Sequence, residues 1–160
     1  MSQVYKRRFV REKVLQILYA YEVNSDGHQA TIDSLFEEIK EEGYKEFATD
    51  LIIKVIKHTT ELDNKIKERV ANWEMNRIAL IDKILLRIGI CELIYFPDIP
   101  PKVSINESIE IAKEYSTARS GKFINGILDA ILTELKEAGK LNKTGRGLVD
   151  ESITKSLVKK

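Results

Sequence analysis

The side chains that could do chemistry in this chain are few, and their spacing narrows the choice quickly. The two histidines, His28 and His58, fall in a turn and on a helix, and no Cys or His spacing matches a metal site. The run from Gly121 to Gly126, GKFING, lacks the four-residue gap before Gly-Lys-Ser/Thr and the preceding strand of a phosphate loop. Acidic neighbours such as Glu41 and Glu42 sit on a charged helix face, where solvation accounts for them. These residues argue against stand-alone catalysis and imply no cofactor and no metal. What remains is cationic. Arg7, Arg8 and Arg11 lie within about one helical turn of each other, and arginine presents planar, bidentate donors suited to phosphates and base edges. Tyr19 lies two to three turns on, near the Arg8 side, where its ring could stack a base. The competing reading is a solvated helix end with an Arg8–Glu12 ion pair at i, i+4.

The formal net charge of +1 hides an uneven distribution. Residues 1–13 carry Lys6, Arg7, Arg8, Arg11 and Lys13 against Glu12, whereas residues 31–50 carry seven acids against two lysines. After Gly139 the chain turns basic again. A local basic patch attracts polyanions even on a near-neutral protein.

These groups must be held by helices. The stretch Arg77 to Phe96 is apolar on nearly every face of a helical wheel, so it predicts a helix surrounded by other helices. Arg77, Asp82, Lys83, Arg87 and Glu92 interrupt it too often for a membrane span. Gly89 within it marks a close helix crossing. Cys91 on the same stretch reads as a small buried hydrophobe, and as the sole cysteine it points to a reducing compartment. Around this spine the periodicity predicts helices over 4–23, 31–42 and 45–70 before it, and over 104–115 and 119–138 after it. The residues Ser104 to Glu107 have the spacing of a capping box, Trp73 is placed to seal two packed layers, and Gly126 suggests a second close approach. No alternating strand pattern is present, so the expected fold class is all-α. The expected organisation is one helical domain over 1–139, with subdomains of about 1–72 and 73–139, and a flexible basic tail over 140–160. Val149, Ile153 and Leu157 give that tail a weak amphipathic spacing. The start of the chain has no apolar signal-type run, which makes a cytoplasmic location the expectation.

Three stretches, RRFVREKVLQILY from Arg7, LLRIGICELIYFPDIPPKVSINESIEIAKEYS from Leu85 and KFINGILD from Lys122, together resemble the NusB family of bacterial transcription antitermination factors. The resemblance runs over about residues 5–138 in order. It implies two packed three-helix bundles and a non-enzymatic role. It further implies binding of boxA, a single-stranded segment of ribosomal RNA leader transcripts, together with NusE, a ribosomal small-subunit protein. Other Nus factors and RNA polymerase are then reached indirectly. By the same resemblance the arginine-rich helix start contacts RNA, which carries over to Arg7, Arg8 and Arg11 and further to Gln16 and Tyr19. Lys122 and Phe123 would face RNA, and Arg119 would add charge to the same patch without belonging to the family pattern. By spacing alone, Phe123 is equally an ordinary core residue. Because NusE and RNA bind together, NusE should dock away from the arginine face, at polar positions such as Asp82, Glu92 and Glu110. The extension beyond about residue 140 departs from the family.

Two alternatives stand beside this reading. The same helical domain also occurs ahead of ribosomal-RNA cytosine methyltransferases, for which 160 residues leave no room. The other is a protein-interaction module or homodimer with only weak RNA binding of its own.

Overall fold

The computed structural model of the chain describes residues 3–24 and 29–149, with side chains from residue 6 onward. His28 and the end of the tail, including Ile153 and Leu157, lie outside the described residues. Among the described residues the secondary structure is helical throughout: α1 (Gln3–Val23), α2 (Gln29–Glu37), α3 (Glu42–Lys57), α4 (Thr59–Lys67), α5 (Asn72–Met75), α6 (Leu80–Tyr95), α7 (Pro101–Tyr115), α8 (Ala118–Glu137) and a 3₁₀ turn at Gly145–Leu148. The all-α expectation holds.

Helix α6 is the centre. Every residue from Ile84 to Leu93 is buried, and α6 packs against α1, α3 and α4 as well as α7 and α8. An all-round apolar helix has no other way to leave water. Gly89 sits where α8 and α7 press on it. A Cβ there would lie 2.9 and 3.1 Å from the two Leu128 methyls and 3.1 Å from Ser108 Oγ.

The three buried charges of α6, Asp82, Arg87 and Glu92, are each answered by a neighbouring helix. Asp82 Oδ2 accepts from Ser120 Oγ on α8 at 2.7 Å. Arg87 donates to Asp63 on α4 at 2.7 and 3.0 Å and to Glu22 on α1 at 3.0 Å. Glu92 accepts from Arg11 on α1 and from Ser104 on α7. Buried charges persist only when paired and hydrogen-bonded, so these contacts fix which face of α6 meets which helix.

Several expectations are corrected. The helix expected over 45–70 is broken at His58, whose φ of −106° and ψ of 18° leave the helical region. There the Thr59 hydroxyl donates back to the Val55 and Ile56 carbonyls, diverting the chain so that Leu62 and Ile66 can turn inward on α4. Tyr21 and Ile56, whose helical spacing continues the apolar stripes of α1 and α3 and so predicts burial, are exposed. Trp73 seals nothing; it is 61% exposed, and Met75 fills the inward position of that single turn instead. Gly126 has open space where a Cβ would point. The Ser104–Glu107 capping box does not form, because α7 begins earlier, with Pro101 at its first turn. Proline's fixed φ suits that position and its missing amide costs nothing there. Both side chains are thereby freed for other helices.

The stretch expected as a flexible tail makes specific contacts over its described part. Lys143 Nζ donates to the Glu92 and Phe96 carbonyls at 3.1 and 2.8 Å, capping the open end of α6. The Thr144 amide donates to the Pro97 carbonyl at 2.9 Å.

Candidate nucleic-acid interface

Two contacts set the geometry of α1. Arg8 reaches Glu107 and Gln16 Nε2 donates to the Tyr115 hydroxyl at 2.8 Å, so equal steps along α1 and α7 stay in register. The two helices therefore run in the same direction. The same seam brings Glu12 against Glu114, where burial and the neighbouring carboxylate raise the Glu12 pKa. Eight residues of helix span about 12 Å. Arg7 thus stands at one end of the seam and the start of α8, which follows α7 directly, at the other.

The three arginines of α1 have three different fates. Arg11 is 2% exposed and donates from Nε and Nη2 to Glu92, both at 2.8 Å. Burial works against its charge, but the Glu92 carboxylate outweighs that and holds its pKa above the ordinary value. Ser104 Oγ adds a third hydrogen bond to Glu92 at 2.9 Å. The expectation that Arg11 meets RNA is corrected: the fork geometry that suits a phosphate is spent on a buried carboxylate. Arg8 is half-buried and forms a bidentate pair with Glu107 at 2.7 and 3.0 Å. The expected alternative Arg8–Glu12 pair gives way to this longer-range partner, although Arg8 still lowers the Glu12 pKa through its charge. Arg7 lies with its guanidinium 5.0 Å from the centre of the Phe47 ring, and among the described residues it has no carboxylate partner. Of the three, Arg7 is the cation available to a ligand.

The flanking lysines are also engaged, Lys6 with Glu41 at 3.0 Å and Lys13 with Glu38. The acidic run over 31–50 thus supplies partners for the basic helix start. Tyr19 is 41% exposed, as a stacking ring requires, whereas Gln16 is committed to Tyr115.

At the other end, Thr117 caps α8, its hydroxyl accepting from the Ser120 amide at 3.0 Å. That cap projects Arg119 and Lys122 into solvent. Phe123 has both characters anticipated for it: it packs on the core cluster and also lines a shallow groove with Arg77, Ile78, Asp82 and Arg119. Beside the groove, Arg77 stands 5.3 Å over the exposed Trp73 ring. Sequence reasoning did not place this pair at the site, although its i, i+4 spacing was a usable signal.

The residues expected to dock a partner are mostly not surface groups. Glu92 is 1% and Asp82 6% exposed, because each anchors α6 to a neighbour. Asp82 keeps one oxygen, Oδ1, without a hydrogen-bond partner among the described residues. Glu110 is exposed and paired with Lys113 at 3.0 Å.

Among the described residues no group of three His, Cys, Asp or Glu could hold a metal ion, and no helix is long and apolar enough to cross a membrane. Burial drives the Cys91 thiol pKa well above the usual range, so it is no nucleophile.

Comparison with known proteins points to one family. The transcription antitermination protein NusB of Chloroherpeton thalassium is 46% identical over 157 residues, covering 97% of this chain and 74% of that protein. NusB of Salinibacter ruber is 47% identical over 145 residues, covering 89% and 91% respectively. A solved structure of the antitermination factors NusB and NusE in complex with double-stranded RNA superposes with a TM-score of 0.72 at 25% identity, covering 81% of this chain and 98% of that one. The NusB family model matches residues 8–133, and with these relatives it shows that the chain belongs to the NusB family.

Proposed function

We propose that this chain is a cytoplasmic, non-enzymatic transcription antitermination factor that binds single-stranded boxA RNA together with NusE, and through that complex reaches other Nus factors and RNA polymerase. Arg7, Arg119 and Lys122 meet phosphates, and Tyr19 and the open side of Phe123 offer faces to bases. Arg8 and Arg11 act one step back: their pairs with Glu107 and Glu92 fix α1 against α7 and α6. The observation that carries the reading is the exposed start of α8, where Arg119 and Lys122 flank Phe123 beside Arg77. A basic, aromatic-bearing surface of this kind suits unpaired RNA, whose bases can be splayed onto rings. The NusB relatives and the NusB–NusE–RNA structure support both partners.

The test is an electrophoretic shift with a boxA oligomer and a scrambled oligomer, each with and without NusE. Tighter binding of boxA, strengthened by NusE, is expected. Equal binding of the two oligomers under both conditions would refute the reading.

A further inference from the structure

The segment after α8 lies beyond the stretch matched by the family model, which ends at residue 133. It does not leave the body of the protein. It runs as a strap across the end of α6, held by Lys143 on the Glu92 and Phe96 carbonyls and by the Thr144 amide on the Pro97 carbonyl. Gly147 is the tightest point, buried so close that a Cβ would lie 1.9 Å from the Pro97 carbonyl oxygen. Only glycine fits there, so the strap has one seating. That seating places Arg146 and Val149 on a groove of about 680 Å³ whose other walls include Arg7, Val103 and Glu107.

The charges around this groove are mostly spoken for. Glu107 is held by Arg8 and Glu92 by Arg11, while Asp98, which also lines the groove, has no ion pair among the described residues and acts on Lys143 through its charge alone. Arg7 and Arg146 are left, and among the described residues neither has a carboxylate partner. Between them the groove floor is apolar, with Ile99, Pro100 and Val103. Two uncommitted guanidiniums across an apolar floor complement a strand that alternates phosphates with flat bases. They do not complement an acidic peptide as well, whose side chains would leave that floor uncovered.

We propose that the C-terminal strap is a second RNA-binding element, which holds Arg146 opposite Arg7 so that the two clamp the phosphate backbone of single-stranded RNA. This rests on the RNA-binding reading above and adds a residue that the matched part of the family does not supply. The strap's anchors, Lys143 and Gly147, are positioning residues, whereas Arg146 touches the ligand.

The experiment uses the full chain and the boxA oligomer, titrated across salt concentration, with a thermal melt of each variant. Each phosphate contact on a single strand contributes about 0.7 to the slope of log K against log salt. Arg146→Ala should melt like the parent and bind with a slope shallower by about 0.7, as Arg7→Ala does. Gly147→Ala should lose the same contact by unseating the strap, and adding Arg146→Ala to it should change the slope no further. An unchanged slope in Arg146→Ala with a shallower one in Arg7→Ala would overturn the strap's role and leave the RNA-binding reading standing. If the parent itself binds no RNA, both fall together.

Discussion

Arg11→Met separates the two roles an arginine on α1 can have. The substitution keeps an unbranched apolar stem but removes the guanidinium, which stands 5.4 Å from the centre of the Phe47 ring and carries both donors to Glu92. The Glu92 carboxylate, 1% exposed, is then left with the Ser104 hydroxyl and no paired cation, since Lys143 donates only to the Glu92 backbone carbonyl. Removing one partner of a buried pair costs about 3–5 kcal/mol, far more than losing an exposed one. At roughly 2–4 °C per kcal/mol for a chain of this size, the melting midpoint should fall by roughly 6–20 °C. The double variant Arg11→Met/Glu92→Leu removes the stranded charge as well and should recover most of that loss, since a packed apolar pair replaces a buried ion pair at little cost. RNA binding by the folded fraction of the single variant, measured well below its midpoint, should keep the parent's salt slope. A variant that melts like the parent but binds RNA with a slope shallower by about 0.7 would refute the placement of Arg11 in the core.

Gly89→Leu should destabilise by about 1–3 kcal/mol through overpacking against Leu128 and Ser108, read as a lower urea midpoint. Lys143 gives the strap a pH signature. Burial, set against the charges of Glu92 and Asp98, holds its pKa down to about 8, whereas the unfolded lysine keeps an ordinary value near 10.5. Between those values the unfolded state binds the extra proton, so stability should rise with pH across that window, and the Lys143→Met variant should lack this component of the rise. Chemical denaturation of the two proteins at pH 7.5 and pH 9.5 checks this; a stability difference between them that does not change with pH would contradict it.

What could be read from the sequence follows from how local its physics is. The α6 spine and its Gly89 crossing were legible because an apolar wheel has one solution in water, encirclement by other helices. The fate of Arg11 was not. On its own helix Arg11 lies off the apolar stripe and reads as solvent-facing, and its partner Glu92 is on α6, 81 residues away. The Ser104–Glu107 spacing satisfied a local motif, yet both side chains serve distant helices, Ser104 reaching Glu92 and Glu107 reaching Arg8. Trp73 was misplaced because size suggests burial, while the single turn of α5 had room to turn only Met75 inward. The strap left no periodic signal, since a lysine, backbone carbonyls and one glycine hold it. At the interface, charge spacing pointed to α1, and the family resemblance alone pointed to Lys122 and Phe123 on α8.

The central claim is that RNA is held by the few cations that the fold leaves uncommitted. The most direct measurement is the salt dependence of boxA binding for the parent and for the triple variant Arg7→Ala/Arg119→Ala/Lys122→Ala. None of the three has a carboxylate partner among the described residues, so the variant should melt close to the parent. Three lost phosphate contacts at about 0.7 each should make its slope shallower by about 2. An unchanged slope, with the variant folded, would contradict the account.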